Sequence, residues 1–134
     1  MPKPETPYEI KTNRREVILL TSRVVLGTSG AVSTQTPEGK SGMVITKTGG
    51  EVGRYTITLT GGKRAALLWA GATVIAADDA AMTSTSGIVT SVRDDDIASD
   101  GTFEIQFASN TNLADAEITN NLSFMITVLI AMVP

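Results

Sequence analysis

The final segment of the chain constrains the fold most. Residues 122–133 read LSFMITVLIAMV and carry no charged side chain. Successive side chains of a strand point to opposite faces. One face then holds Leu122, Phe124, Ile126, Val128, Ile130 and Met132, and the other holds Met125, Leu129 and Val133, with Ser123, Thr127 and Ala131 between them. A strand with two largely apolar faces must be covered on both sides, either by the core of one domain or by another subunit.

Short runs rich in β-branched residues, separated by glycine, aspartate or asparagine, precede this segment. Two of them alternate with a period of two and predict buried faces made of Tyr55, Ile57 and Leu59 and of Phe103, Ile105 and Phe107. The predicted strands cover residues 16–26, 43–48, 53–60, 72–77, 87–93, 102–108 and 122–133, with a weaker edge strand after residue 30.

No helical pattern of 10–15 residues separates these runs, which excludes a parallel sheet with crossover helices. We predict an all-β fold, an antiparallel β-sandwich or small barrel of seven to eight strands with one short helix. The helix is predicted at residues 63–70, KRAALLWA, because these are good helix formers that follow two glycines.

The chain has 134 residues, room for one domain. Residues 1–13 contain Pro2, Pro4 and Pro7 and predict an extended N-terminal arm, with a single β domain over residues 14–134. Two hypotheses remain open for the arm. It is either a disordered terminus, or it docks on a neighbour through its apolar and basic side chains, which are Tyr8, Ile10, Arg14 and Arg15.

Composition weighs against catalysis. The chain has no cysteine and no histidine, which excludes disulfides, Cys/His zinc sites and Ser-His or Cys-His catalytic pairs. We expect no enzyme, no cofactor and no metal site. The acidic segment 94–100 is predicted as a solvated turn, and calcium binding there stays open. A pI near 4.8 disfavours nucleic acid, and no apolar run reaches the roughly 20 residues of a membrane helix.

Charge is distributed unevenly along the chain. Residues 1–64 carry 10 basic and 5 acidic side chains, whereas residues 65–134 carry one basic side chain, Arg93, and 9 acidic ones. The two halves can pair within one fold, or they can present opposite charges to neighbouring copies.

Residues 53–134 resemble a group of small β-rich virion proteins of tailed phages. The resemblance lies in a G-x-Y-x-I-x-L strand, an LL-containing turn, A-T-V and V-x-S-V strands and a closing L-x-F-x-I-x-V strand after an acidic D-A turn. The matching positions are Gly53, Tyr55, Ile57, Leu59, Leu67, Leu68, Val92, Ala114, Asp115 and Leu122.

This resemblance implies a head decoration or cement protein that stabilises the capsid from outside. Such a protein is assembled in the bacterial cytoplasm, often as a homotrimer, and its partner is the major capsid protein. The alternative is a phage tail or fibre domain, or another module that recognises a host surface ligand. The candidate interface comprises Tyr8, Ile10, Arg14, Arg15, Phe124, Ile126, Val128 and Ile130.

Overall fold

Eight strands and two short helical turns make up the part of the chain that the computed structural model describes, residues 17–36, 42–60, 64–76, 88–93, 96–109 and 122–132. The strands are β1 (Val17–Leu26), β2 (Val32–Thr36), β3 (Met43–Lys47), β4 (Arg54–Leu59), β5 (Arg64–Ala76), β6 (Ile88–Arg93), β7 (Thr102–Ser109) and β8 (Leu122–Met132). A 3₁₀ turn covers Thr28–Gly30, and a single α-helical turn, α1, covers Ile97–Asp100.

The strands form two four-stranded antiparallel sheets. Sheet I has the order β2-β1-β8-β5, and sheet II has the order β3-β4-β7-β6. The final strand, β8, therefore lies between β1 and β5 and pairs with both of them over most of its length. The predicted all-β class of seven to eight antiparallel strands with one short helix is confirmed, and the two sheets form the sandwich alternative.

The core lies between the inner faces of the two sheets. The predicted inward sets of β4 and β7 are confirmed, because Tyr55, Ile57, Leu59, Phe103, Ile105 and Phe107 are all buried. Three rings meet at its centre: the ring centroid of Phe124 lies 5.1 Å from that of Tyr55 and 5.2 Å from that of Phe107. Edge-on and tilted contacts of this kind are the favoured aromatic geometry.

The prediction of a helix at residues 63–70 is wrong. Arg64–Ala76 is one continuous 13-residue strand, paired with β8 from Arg64 to Ala76. The helix propensity of alanine, leucine and lysine is worth only tenths of a kcal/mol per residue, and pairing with the apolar β8 outweighs it. The α-helical turn lies instead at α1, within the segment predicted as a turn, and ends at Gly101, whose φ of 77° is left-handed.

Side chains join the edges of the two sheets. On one side, the Gln35 side-chain amide on β2 makes the two hydrogen bonds that the backbone of a neighbouring strand would make with β3. Its Nε2 donates to the Met43 carbonyl (2.8 Å), and its Oε1 accepts from the Ile45 N–H (3.0 Å). On the other side, the Thr90 hydroxyl on β6 donates to the Ala72 carbonyl on β5 (3.3 Å). Edge strands expose backbone groups that recruit other chains, so these bonds also shield part of each edge.

Candidate interaction face

The outer face of sheet II is mostly polar, with Val44 and Val89 as exposed apolar side chains, and its charged groups bond one another. The Arg54 guanidinium donates to Gln106 Oε1 (2.9 Å) and lies 3.5 Å from a Glu51 carboxylate oxygen and 3.9 Å from one of Glu104. The Gln106 amide donates to the Val52 carbonyl (2.8 Å). These groups satisfy one another, so this face is suited to solvent.

The outer face of sheet I is apolar. The registers of β1, β8 and β5 place Leu19, Leu129 and Trp69 in one row across the three strands. Leu19 is 61% exposed and Trp69, the chain's single tryptophan, is 54% exposed. We call this surface the apolar face. Its large apolar members are Leu19, Val25, Trp69, Met125 and Leu129.

A register shift in β5 turns Trp69 outward. Residues two apart in a regular strand share a face, yet Leu67 packs against the core while Trp69 lies on the outside. Leu67 pairs with Ile130 and Trp69 with the very next residue of β8, Leu129, so Leu68 is an extra residue in β5. Such bulges redirect side chains and are frequent beside functional sites.

The indole of Trp69 lies along the sheet and over Gly71, where no side chain competes for the space. A Cβ on Gly71 would lie 2.6 Å from the ring atoms Cη2 and Cζ2. On β8, the residue opposite Gly71 is Thr127, which is small. The apolar face is therefore flat at its centre.

Charge is scarce on this face. Among the side chains that the structure describes there, Arg23 is the charged one, and its guanidinium donates to the Ser123 hydroxyl (3.2 Å). Thr21 and Thr73 add small polar groups. The described centre of this face is therefore largely uncharged.

The structure corrects half of the predicted interface. Phe124, Ile126, Val128 and Ile130 are at most 2% exposed and pack in the core under sheet II. These side chains are covered by the core of one domain, which is the other alternative that the sequence left open. A second subunit could reach them only if the two sheets separated. The other four candidates, Tyr8, Ile10, Arg14 and Arg15, lie outside the described residues, as does the whole predicted arm.

Other parts of the described structure offer less chemistry. A shallow cleft of about 450 Å³ lies beside the β3–β4 turn, where Lys47 Nζ donates to the Ser29 carbonyl (2.5 Å). In the acidic segment, the Thr102 N–H donates to Asp100 Oδ1 (2.9 Å) and lowers the pKa of that exposed carboxyl. Asp94 and Asp95 lie outside the described residues, and within these no group of three or more acidic side chains could hold a metal ion.

Sequence reasoning identified the β8 part of the apolar face, Met125 and Leu129, but missed the β5 part because it assigned Trp69 to a helix. The available signal was the alternation after the glycine pair, since Trp69, Gly71, Thr73 and Ile75 share one face if the segment is a strand. The alternation of Leu19, Thr21, Arg23 and Val25 in β1 carries the same information.

Comparison with protein-family models, curated proteins and solved structures gave no match. Within the described ranges, no helix is long and apolar enough to cross a membrane.

Proposed function

We propose that the chain is a non-enzymatic virion structural protein, a decoration or cement subunit that stabilises a tailed-phage head by bridging neighbouring capsid subunits. It acts as a homotrimer on the capsid exterior after assembly in the bacterial cytoplasm. The observation that supports this best is the apolar face, on which a bulge turns the single tryptophan outward. Large exposed apolar surfaces of this kind mark protein contacts.

The two outer faces suit such a role in different ways. The polar network around Arg54 and Gln106 suits sheet II to water, whereas the apolar face of sheet I needs a protein partner. A subunit that covers protein with one face and meets solvent with the other adds interface area to a shell. Added area raises the force needed to pull capsid subunits apart, and no chemical step is required.

Binding to heads tests this proposal directly. The purified protein is mixed with empty heads of the phage whose genome encodes it, and co-sedimentation and heat resistance of the heads are measured. We expect saturable binding and heads that open at a higher temperature. Absence of binding at tens of micromolar overturns the proposal.

The predicted arm is tested in the same assay. If the arm docks on the shell, deletion of residues 1–13 leaves the melting temperature of the isolated protein nearly unchanged and weakens head binding. Arg14 and Arg15, which this deletion retains, contribute a separate salt-sensitive part, because exposed charge pairs are screened over about 8–10 Å at physiological ionic strength. Full affinity of the truncated protein means that the arm takes no part in attachment.

A binding module for a host surface ligand, such as a tail or fibre domain, is the second candidate. The observation that favours it is the flat, exposed indole of Trp69 over Gly71, a surface on which an apolar ring face of a ligand can stack. Host surface polysaccharide would then quench or shift the fluorescence of the single tryptophan, and the protein would not bind to empty heads. Unchanged fluorescence with polysaccharide, together with binding to heads, favours the decoration subunit.

A further inference from the structure

We infer that the outer edge of β6 is a second attachment site, at which an extended segment of another protein adds a strand to sheet II. The inference rests on the proposed function and goes beyond it, because a subunit that bridges two shell proteins needs a contact besides the apolar face. The segment that fits this edge has alternating apolar and polar side chains and carries basic residues. In the decoration role it belongs to the capsid subunit beside the one that the apolar face covers.

The hydrogen bonds between β4 and β7 fix the direction of the backbone groups in β6. The Phe107 N–H donates to the Gly53 carbonyl (2.9 Å) and the Leu59 N–H donates to the Gly101 carbonyl (2.8 Å), so the odd-numbered positions of β7 bond to β4. Successive residues of a strand in an antiparallel sheet bond to opposite neighbours. The even-numbered residues of β7 therefore bond to β6.

The outward backbone groups of β6 are unpaired. The residues of β6 that lie opposite the even-numbered residues of β7 are Val89, Ser91 and Arg93. The N–H and C=O groups of the other three point outward, and these three are Ile88, Thr90 and Val92. Within the ranges that the structure describes, these groups have no hydrogen-bond partner. Their alternating donors and acceptors match the backbone of an extended segment, as in other complexes formed by strand addition.

The edge of β3, on the other side of sheet II, is protected in a way that β6 is not. The Gln35 amide occupies the Met43 carbonyl and the Ile45 N–H. On β6, Thr90 bonds to Ala72 through its hydroxyl, which leaves its own backbone groups directed outward. The sequence of β6, IVTSVR, contains no proline or lysine, and its pairing with β7 has no bulge. These are common devices that keep other strands away from an edge.

The core is incompletely covered beside β6. Val92 lies opposite the buried Ile105 and therefore on the inner face of sheet II, yet it is 38% exposed. The inner residue Met43 on the edge strand β3 is only 1% exposed. On the neighbouring strand β5, Ala70 and Ala72 are small and only partly buried. Apolar side chains on the inner face of an added strand would cover these positions, which is why they must alternate with polar ones.

The charge on this side of the sandwich favours a basic segment. β5 and β8 are neighbours in sheet I, and β6 and β7 are neighbours in sheet II, so the second half of the chain forms one side of the molecule. Residues 65–134 carry 9 acidic side chains and one basic side chain, Arg93, which lies opposite Glu104. This side therefore attracts a positively charged segment and repels an acidic one.

A matched pair of substitutions tests the edge in the head-binding assay. Val92→Lys places a charge where the inward apolar side chains of the added strand would lie, whereas Val89→Lys makes the same change on the outer face, at a valine that is 41% exposed. We expect Val92→Lys to weaken binding to empty heads at least about ten-fold and Val89→Lys to leave it nearly unchanged. Circular dichroism and melting temperature check that both variants fold. Equal binding by Val92→Lys and the unchanged protein overturns the inference.

Hydrogen exchange of backbone amides gives a second readout that needs no variant. In the free protein, the N–H groups of Thr90 and Val92 should exchange quickly and those of Ser91 and Arg93 slowly. On empty heads, Thr90 and Val92 should become protected. If these two amides still exchange quickly on heads, the inference is overturned and the decoration role stands.

Two further outcomes distinguish the occupant and the proposed function. Protection of Thr90 and Val92 in the free protein that disappears when residues 1–13 are deleted would identify the arm of this chain as the occupant, and would overturn the inference. If the unchanged protein does not bind heads at all, the proposed function fails and this inference fails with it.

Discussion

The ring of Trp69 occupies the space that a side chain at position 71 would fill. A Cβ on Gly71 would come within 2.6 Å of the ring atoms Cη2 and Cζ2, which is far closer than carbon atoms approach without repulsion. The glycine therefore sets the orientation of the tryptophan, and through it the flatness of the apolar face.

Gly71→Ala should lift the indole from the sheet and change unfolding free energy by less than about 1 kcal/mol, because the clashing atoms are the far end of a side chain that can move. We expect altered tryptophan emission. The control is Gly49→Ala, where an added Cβ has no heavy atom within 4 Å. Unchanged emission in Gly71→Ala would contradict the described orientation of the ring.

Ile105→Ala should destabilise the protein by roughly 2–5 kcal/mol, the usual cost when a large aliphatic side chain is removed from a core. Ile105 is fully buried on β7 and belongs to the core cluster. Urea unfolding measures the loss, with Val44→Ala as the exposed control. A loss below about 0.5 kcal/mol, as at surface sites, would contradict the inward orientation of β7.

Tyr55→Phe should cost about 1–3 kcal/mol, since the hydroxyl of the buried Tyr55 donates to the Gly30 carbonyl at 2.6 Å, and the change removes that bond while keeping the ring. The same bond ties the turn after β1 to sheet II. Urea unfolding measures the cost, and hydrogen exchange across residues 27–31 should accelerate. Equal stability of the two proteins would mean that solvent replaces the bond.

Gln35→Ala should release the edge of β3. The amide of Gln35 bonds the backbone at Met43 and Ile45, so the Ile45 N–H should exchange with deuterium faster and the protein should aggregate more readily on heating. The neighbouring Thr34→Ala, at an exposed position on the same strand, serves as the control and should change neither property.

Asp100→Ala should lower the melting temperature at neutral pH and have less effect in acid. The backbone N–H of Thr102 holds the pKa of Asp100 below its ordinary value of 3.8. A carboxyl with a depressed folded-state pKa stabilises the protein above its unfolded pKa, and this contribution is lost as pH falls through the folded value. The difference in melting temperature between the two proteins should therefore shrink below about pH 4. A constant difference would contradict the role of the charge.

The sequence predicted the strands whose side chains alternate. In β4 and β7 one face is buried and the other faces water, so apolar and polar side chains alternate along the sequence. This alternation identifies both the strand and its buried residues. For β5 the alternation is interrupted by register shifts, between Arg64 and Ala66 and between Leu67 and Trp69. Local propensity in residues 63–70 then favours a helix. The segment forms a strand because it pairs with β8, about 60 residues further along the chain.

The candidate site was harder to predict for a related reason. Both faces of residues 122–133 are apolar, and the sequence does not say which face meets the other sheet. The even-numbered residues became core because Phe124 packs with Tyr55 and Phe107. The outer row instead combines residues from β1, β5 and β8, whose alignment depends on long-range register.

The central place of β8 in sheet I has a consequence for synthesis. The residues of β8, which join β1 to β5, leave the ribosome after all the other described strands. Arg23 therefore gains its β8 neighbour only once Met125, 102 positions later, has been synthesised. Contacts of such sequence separation form slowly. Sheet II draws all its described strands from residues 43–109. It is therefore available before β8 is synthesised, as a surface against which sheet I closes.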